Sequence, residues 1–115
     1  MNLRHFKLAF GLLGLAVLGF AAGWLPASAW AAAEAKSLIK DFSFAPLTIE
    51  AGTTVTWVNA DDEPHTVASD TGLFRSGGLD TNESFSYTFD KPGTYRIYCT
   101  IHPRMVATIV VKQRP

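Results

Sequence analysis

The chain is poor in the residues that usually staple or steer a small protein. Its 115 residues include one cysteine, Cys99. A lone cysteine excludes an internal disulfide and every framework built on paired cysteines. Histidine is scarce, with only His5, His65 and His102, and Met105 is the one methionine besides the initiator. Ten Lys/Arg balance ten Asp/Glu, so the formal net charge is zero, and no basic cluster occurs. That removes the electrostatic footprint of a nucleic-acid binder. Beyond Ser37 no stretch has helical periodicity of useful length. Internal repeats, low-complexity tracts and an interdomain linker are also missing there, which limits the chain to one small domain.

The N-terminus is a different kind of segment. Arg4, His5 and Lys7 precede an uncharged, mostly apolar stretch from Leu8 to Leu25, and small residues follow from Ala27 to Ala33. This order predicts a secretory signal peptide over residues 1–33, cleaved after Ala29 to Ala33, with residues 34–115 as the exported domain. The apolar stretch is close to the length that spans a bilayer, so an uncleaved membrane anchor is the alternative. Gly11, Gly14, Gly19, Gly23 and the small-residue run favour cleavage. Losing Arg4 and Lys7 leaves eight basic against ten acidic residues, a net charge of −2. So small a domain gains from a staple such as a metal. An exposed free thiol is a liability in an oxidising compartment, so Cys99 needs a role.

After Ser37 the pattern is of short β-prone runs broken by turns. Alternation over Leu38–Phe44 predicts a first strand, with Leu38, Lys40, Phe42 and Phe44 on one face and Pro46 ending it. Leu47–Glu50 predicts a second, closed by Ala51-Gly52. Thr53–Asn59 predicts a half-buried third. Asp61-Asp62-Glu63-Pro64 reads as a polar loop, followed by short strands at Thr66–Ala68 and Phe74-Arg75. Ser84–Phe89, Thr94–Cys99 and Ala107–Val111 predict the rest, with Phe85, Tyr87 and Phe89 on one face. About seven to eight strands predict an all-β Greek-key sandwich of antiparallel sheets. Trp57, Phe85, Tyr87 and Phe89 read as its core.

Three potential metal ligands fall within one loop: Cys99, His102 and Met105, spaced C-x2-H-x2-M. His65 is the fourth candidate, from an earlier loop. Alone, each has a plain structural reading: a small buried thiol, a surface histidine, a core filler. Together, two imidazoles, a thiolate and a weak axial thioether are the donor set of a blue-copper electron-transfer site. Zinc sites more usually lack a thioether, and calcium and magnesium require oxygen donors. A binuclear copper site would need a second bridging cysteine. In this reading Cys99 gives the covalent bond, His65 and His102 complete a trigonal plane, and Met105 adjusts the potential.

Phe42-Ser43-Phe44-Ala45-Pro46, Val55-Thr56-Trp57-Val58-Asn59, Pro64-His65-Thr66-Val67, Gly93-Thr94-Tyr95 and the Cys99–Met105 loop resemble the cupredoxins. The similarity runs from about Leu38 to Val111, and the short ligand loop is most similar to the amicyanin and plastocyanin group, amicyanins above all. The resemblance implies an eight-stranded sandwich with one Cu(I)/Cu(II) ion near one end, and one-electron shuttling in the periplasm. Asn59, Pro64, Thr66, Thr100 and Ile101 are then the residues around the ligands. Two departures stand out. Thr66 follows His65 where the family usually has an Asn- or Asp-like residue tying the two ligand loops, so its hydroxyl is expected to make a shorter bond. Ile101 replaces a usual proline, and its N–H is placed to act on the Cys99 sulfur.

The resemblance also makes His102 the electron exit, with Pro103 and Arg104 beside it on the docking face. Arg104 reads either as a solvated loop residue or as a charge favouring an acidic partner. The Asp61-Asp62-Glu63 run reads as a solvated loop or as a docking patch. Implied partners are transient redox proteins, such as a c-type cytochrome or a dehydrogenase or oxidase, met by a monomer. No enzyme is expected, since a copper oxidase or nitrite reductase needs more histidines than His65 and His102. The competing function is copper binding or delivery without a redox cycle.

Overall fold

The computed structural model describes residues 33–115. The expected signal segment, residues 1–33, therefore lies outside the described residues except for Ala33. Seven strands follow in order: β1 (Glu34–Ile39), β2 (Leu47–Glu50), β3 (Thr53–Asn59), β4 (Ala68–Ser69), β5 (Ser84–Phe89), β6 (Gly93–Tyr98) and β7 (Val106–Lys112). They form a three-stranded sheet, β1-β3-β5, and a four-stranded sheet, β2-β7-β6-β4. Among the described residues no helix is long and apolar enough to cross a membrane.

Period-two patterning builds the core between the sheets. In β3 the side chains of Thr53, Val55, Trp57 and Asn59 are buried, while those between them are partly exposed. The outward threonines have their own partners. Thr54 Oγ1 meets Thr88 Oγ1 at 2.7 Å and Thr56 Oγ1 meets Ser86 Oγ at 2.6 Å across the β3–β5 pair. Inside, the fully buried Trp57 ring lies 6.1 Å from Phe74, 6.3 Å from Phe85 and 6.3 Å from Phe89. Ile39, Val55, Val67, Ile97 and Ile109 fill the space around this aromatic cluster and are fully buried.

Three expectations need correction. First, the sheets are mixed. β1 pairs with β3 and β2 with β7 in parallel, while β3–β5, β4–β6 and β6–β7 are antiparallel. The parallel pairs arise because β2 belongs to the other sheet, so the chain leaves the first sheet after β1 and returns to it as β3. Second, the strand predicted over Leu38–Phe44 starts and stops earlier. Parallel pairing with Thr54 begins at Glu34, and Leu38 is exposed while Ile39 is buried. Lys40 and Ser43 exchange backbone hydrogen bonds of 3.2 and 3.1 Å around a tight turn. Its central residues Asp41 and Phe42 have φ of 53° and 56°, the left-handed pattern of a type I′ turn. Aspartate tolerates that region, whereas phenylalanine pays about 1–2 kcal/mol there. Third, the short strand expected at Thr66–Ala68 forms at Ala68–Ser69, and Phe74-Arg75 supplies only a bridge from Arg75 to Ala68.

The site is positioned by three connections at one end of the sandwich: the β1–β2 turn, the loop after β3, and the β6–β7 loop. Their rigidity depends on the core beneath them. Trp57→Ala removes the centre of the aromatic cluster and is expected to cost roughly 3–5 kcal/mol, read as a fall in the urea midpoint.

Candidate metal centre

The loop after β3 is shaped by Asn59, the last residue of that strand. Its side chain is fully buried and spends all its main bonding groups on backbone. Asn59 Nδ2 donates to the carbonyls of Glu63 at 2.7 Å and Leu79 at 2.8 Å, and Oδ1 accepts from the Asp61 N–H at 2.9 Å. This curls residues 59–63 into a fixed loop. His65 then pairs with Leu79 through reciprocal backbone bonds of 3.1 and 2.7 Å. The second loop is closed by its own backbone. The Cys99 N–H donates to Met105 O at 3.1 Å, and the Met105 N–H donates to His102 O at 2.8 Å.

These loops bring together residues 34 and more positions apart. The ligand atoms of His65, Cys99 and His102 all lie within 4.8 Å of one another. His65 Nδ1 and His102 Nδ1 face each other at 3.3 Å, and His102 Nδ1 is 3.7 Å from Cys99 Sγ. His65 and Cys99 are fully buried, His102 is half-buried, and Met105 is buried beside them. Phe42, Ile101, His102, Pro103, Arg104 and Met105 line an open surface cleft of about 460 Å³. Ile101, Pro103 and Arg104 are exposed on its rim. Pro64 is exposed and lies before His65, outside this cleft.

Thr66 ties the two ligand loops together. Its Oγ1 accepts from the Thr100 N–H at 2.7 Å and shares a 2.8 Å bond with Thr100 Oγ1. Its N–H points at Cys99 Sγ from 3.3 Å. Burial pushes the Cys99 thiol up. The backbone N–H groups of Thr66, Ile101 and His102, with the His102 ring, more than offset this and hold it below its ordinary value. The environment therefore favours a thiolate, the form that binds metal.

Sequence reasoning missed two residues. Asp61, read there as part of a solvated or docking run, is buried. Its carboxylate accepts from the Asp41 N–H at 2.7 Å and the Phe42 N–H at 2.9 Å, and meets His65 Nε2 at 2.8 Å. Burial raises its pKa, but the Phe42 N–H, the His65 ring and the Asp41 N–H outweigh that and hold it below the usual carboxylate value. An Nε2–H tautomer of His65 donates to this carboxylate and turns its Nδ1 lone pair toward Cys99 and His102. Phe42, read as a strand residue, stands over both histidines with ring centroids 5.0 Å from each. Only an acidic residue four positions before His65 hinted at the first. Asp41 and Ser43 were only weak signals of the turn that places the second, because no glycine or asparagine follows Asp41 and phenylalanine holds the next left-handed position.

The Thr66 tie has a direct test. Thr66→Val keeps the shape but leaves the Thr100 N–H without its acceptor, for an expected loss of about 1–2 kcal/mol in urea unfolding. Thr66→Ser is expected to recover most of it.

Comparison with known proteins agrees with this architecture. Residues 14–111 match the cupredoxin-like domain. Amicyanin-alpha of Methylorubrum extorquens is 36% identical over 89 residues, covering 69% of this chain and 71% of that protein. Amicyanin of Paracoccus versutus is 37% identical over 71 residues, where the match covers 57% of this chain and 54%, about half, of the relative's length. Among solved structures, a novel purple cupredoxin from Nitrosopumilus maritimus is 34% identical with a TM-score of 0.63, covering 68% of this chain and 99% of that one. A methionine-to-alanine mutant of amicyanin in its Cu(I) form has a TM-score of 0.64 at 28% identity, covering 69% and 82%. With the sandwich, the loop carrying Cys99, His102 and Met105, and the match over residues 14–111 in agreement, the chain belongs to the cupredoxin-like family.

Proposed function

We propose that this chain is a small type 1 copper protein that carries single electrons between redox partners after export to the periplasm. The amicyanin relatives and the amicyanin and purple-cupredoxin structures support a copper electron carrier of this family. The observation that carries the reading is the prearranged donor set: one thiolate-prone sulfur and two facing Nδ1 atoms, all within 4.8 Å. These residues fit copper. Cys99 Sγ, His65 Nδ1, His102 Nδ1 and the Met105 thioether would hold it, a soft and borderline set that suits both its oxidation states. Bound copper supplies the one-electron couple.

The chain's own residues do the rest. Asp61 holds the His65 ring, and Thr66 holds the two loops in register, so little rearrangement accompanies a change of charge. Burial of Cys99 and His65 keeps water from the sulfur side. Half-buried His102, within the cleft lined by Phe42, Ile101 and Pro103, is the proposed exit to a partner such as a c-type cytochrome, dehydrogenase or oxidase. Arg104 sits on that rim as an exposed charge. The complex is transient and the carrier monomeric. Among the described residues His65, Cys99 and His102 form the one His, Cys, Asp and Glu group placed to hold a metal ion. Copper delivery suits exposed, exchangeable ligands, and here Cys99 and His65 are fully buried.

Copper added to the purified domain is expected to give an intense visible thiolate-to-copper band and a reversible one-electron wave, with both lost in Cys99→Ser. A colourless protein that binds only Cu(I) contradicts the shuttle reading. Ile101→Pro removes an N–H that acts on the sulfur. It is expected to lower the reduction potential measured by voltammetry, because less charge is then drawn from the thiolate. An unchanged potential would show that this N–H does not tune the site.

A further inference from the structure

The two histidines are held very differently. His65 is fully buried, and its Nε2 is fixed by the Asp61 carboxylate at 2.8 Å. His102 is half-buried in the surface cleft, and no protein hydrogen bond to its Nε2 is found among the described residues. Its Nδ1 faces only His65 and Cys99. Apart from the bond a bound copper would make at Nδ1, ring contacts set its orientation. One is with His65, at 5.1 Å and 65°. The other is with Phe42, at 5.0 Å and 80°, and Phe42 also meets His65 at 5.0 Å and 88°. Both Phe42 contacts have the edge-to-face geometry that aromatic quadrupoles favour.

Phe42 occupies this position at a conformational cost. Its φ of 56° is one that bulky residues rarely adopt, and the residue is 46% exposed, so core packing does not explain it. The turn is held by Asp61, which accepts the N–H of both left-handed residues, Asp41 and Phe42. The same carboxylate holds His65. One group therefore fixes the first histidine directly and places the aromatic ring that steadies the second.

We propose that Phe42 is a positioning residue of the metal centre, whose ring, presented by an Asp61-anchored left-handed turn, fixes the orientation of the His102 imidazole. The inference rests on the copper reading above and concerns only how the outer histidine is held. Strain retained at a half-exposed residue is accounted for by this function, since glycine would make the same turn without strain.

The test uses Phe42→Gly, Phe42→Leu and Phe42→Tyr in the copper-loaded protein. Transfer of Cu(I) to an excess of a strong chelator is followed, with the reduction potential measured alongside. Urea unfolding of each copper-free variant controls for folding. Glycine and leucine variants are expected to release copper about tenfold faster, the effect of losing two edge-to-face contacts, with a shifted potential. Phe42→Tyr restores both values, and Phe42→Gly unfolds at a urea midpoint no lower than wild type. Wild-type release and potential in Phe42→Gly and Phe42→Leu would overturn the proposal. So would fast release that tyrosine fails to restore. If the unmutated protein gives no thiolate-to-copper band, the copper reading itself fails. If that band is normal and the variants match wild type, only the role of Phe42 fails.

Discussion

One buried carboxylate joins the parts of this protein that bear on its chemistry. Asp61 accepts two backbone N–H groups from the β1–β2 turn and meets the outer nitrogen of His65. Removing it would strand three donors in or beside a closed site, each at a cost of about 1–3 kcal/mol. Its depressed pKa reflects the same contacts: donors and a histidine ring outweigh the burial that would otherwise neutralise it. The carboxylate therefore stays ionised through the neutral range and fixes which His65 nitrogen faces Cys99. Asn59 supports it from the next layer, holding the Asp61 N–H and two loop carbonyls.

The sandwich makes that arrangement stiff. β3 carries Trp57 in the core and ends at Asn59, so the aromatic cluster and the loop's polar bonds share one strand. β6 and β7 deliver the second loop, where Cys99 and Met105 close on each other through backbone. Thr66 and Thr100 then join the loops directly. Hydrogen bonds at the ends of well-packed strands hold the two loops in one arrangement. Burial raises the Cys99 thiol pKa, and the backbone N–H groups of Thr66, Ile101 and His102 help bring it below its ordinary value.

Much of this was legible in the chain. The alternation of Thr53–Asn59 and Ser84–Phe89 matches β3 and β5 residue for residue, because in each strand one face is more buried than the other. The C-x2-H-x2-M spacing marked a loop whose Cys99 and His102 lie beside His65, and the Thr66 hydroxyl, a departure from the family pattern, reaches Thr100. What was hidden depends on tertiary partners. Asp61 looked like one of three solvated acids, since only the fold brings the β1–β2 turn and His65 to it. Phe42 looked like a strand residue because its alternation with Phe44 is real in sequence. The turn between Lys40 and Ser43 is imposed against local preference by bonds from a distant carboxylate. Parallel pairing of β1 with β3 was likewise invisible, since register across a crossover leaves no local mark.

We propose that Cys99, His65 and His102 are the copper donors of this polypeptide, with His65 locked by Asp61. Crystal structures of the copper-free and copper-loaded protein, grown under the same conditions, test it most directly. The account predicts copper on Cys99 Sγ and on the Nδ1 atoms of His65 and His102, with the His65 Nε2 to Asp61 bond and the Thr66–Thr100 tie intact in both. Copper bound without Cys99, or through His65 Nε2 with the Asp61 contact broken, would contradict it.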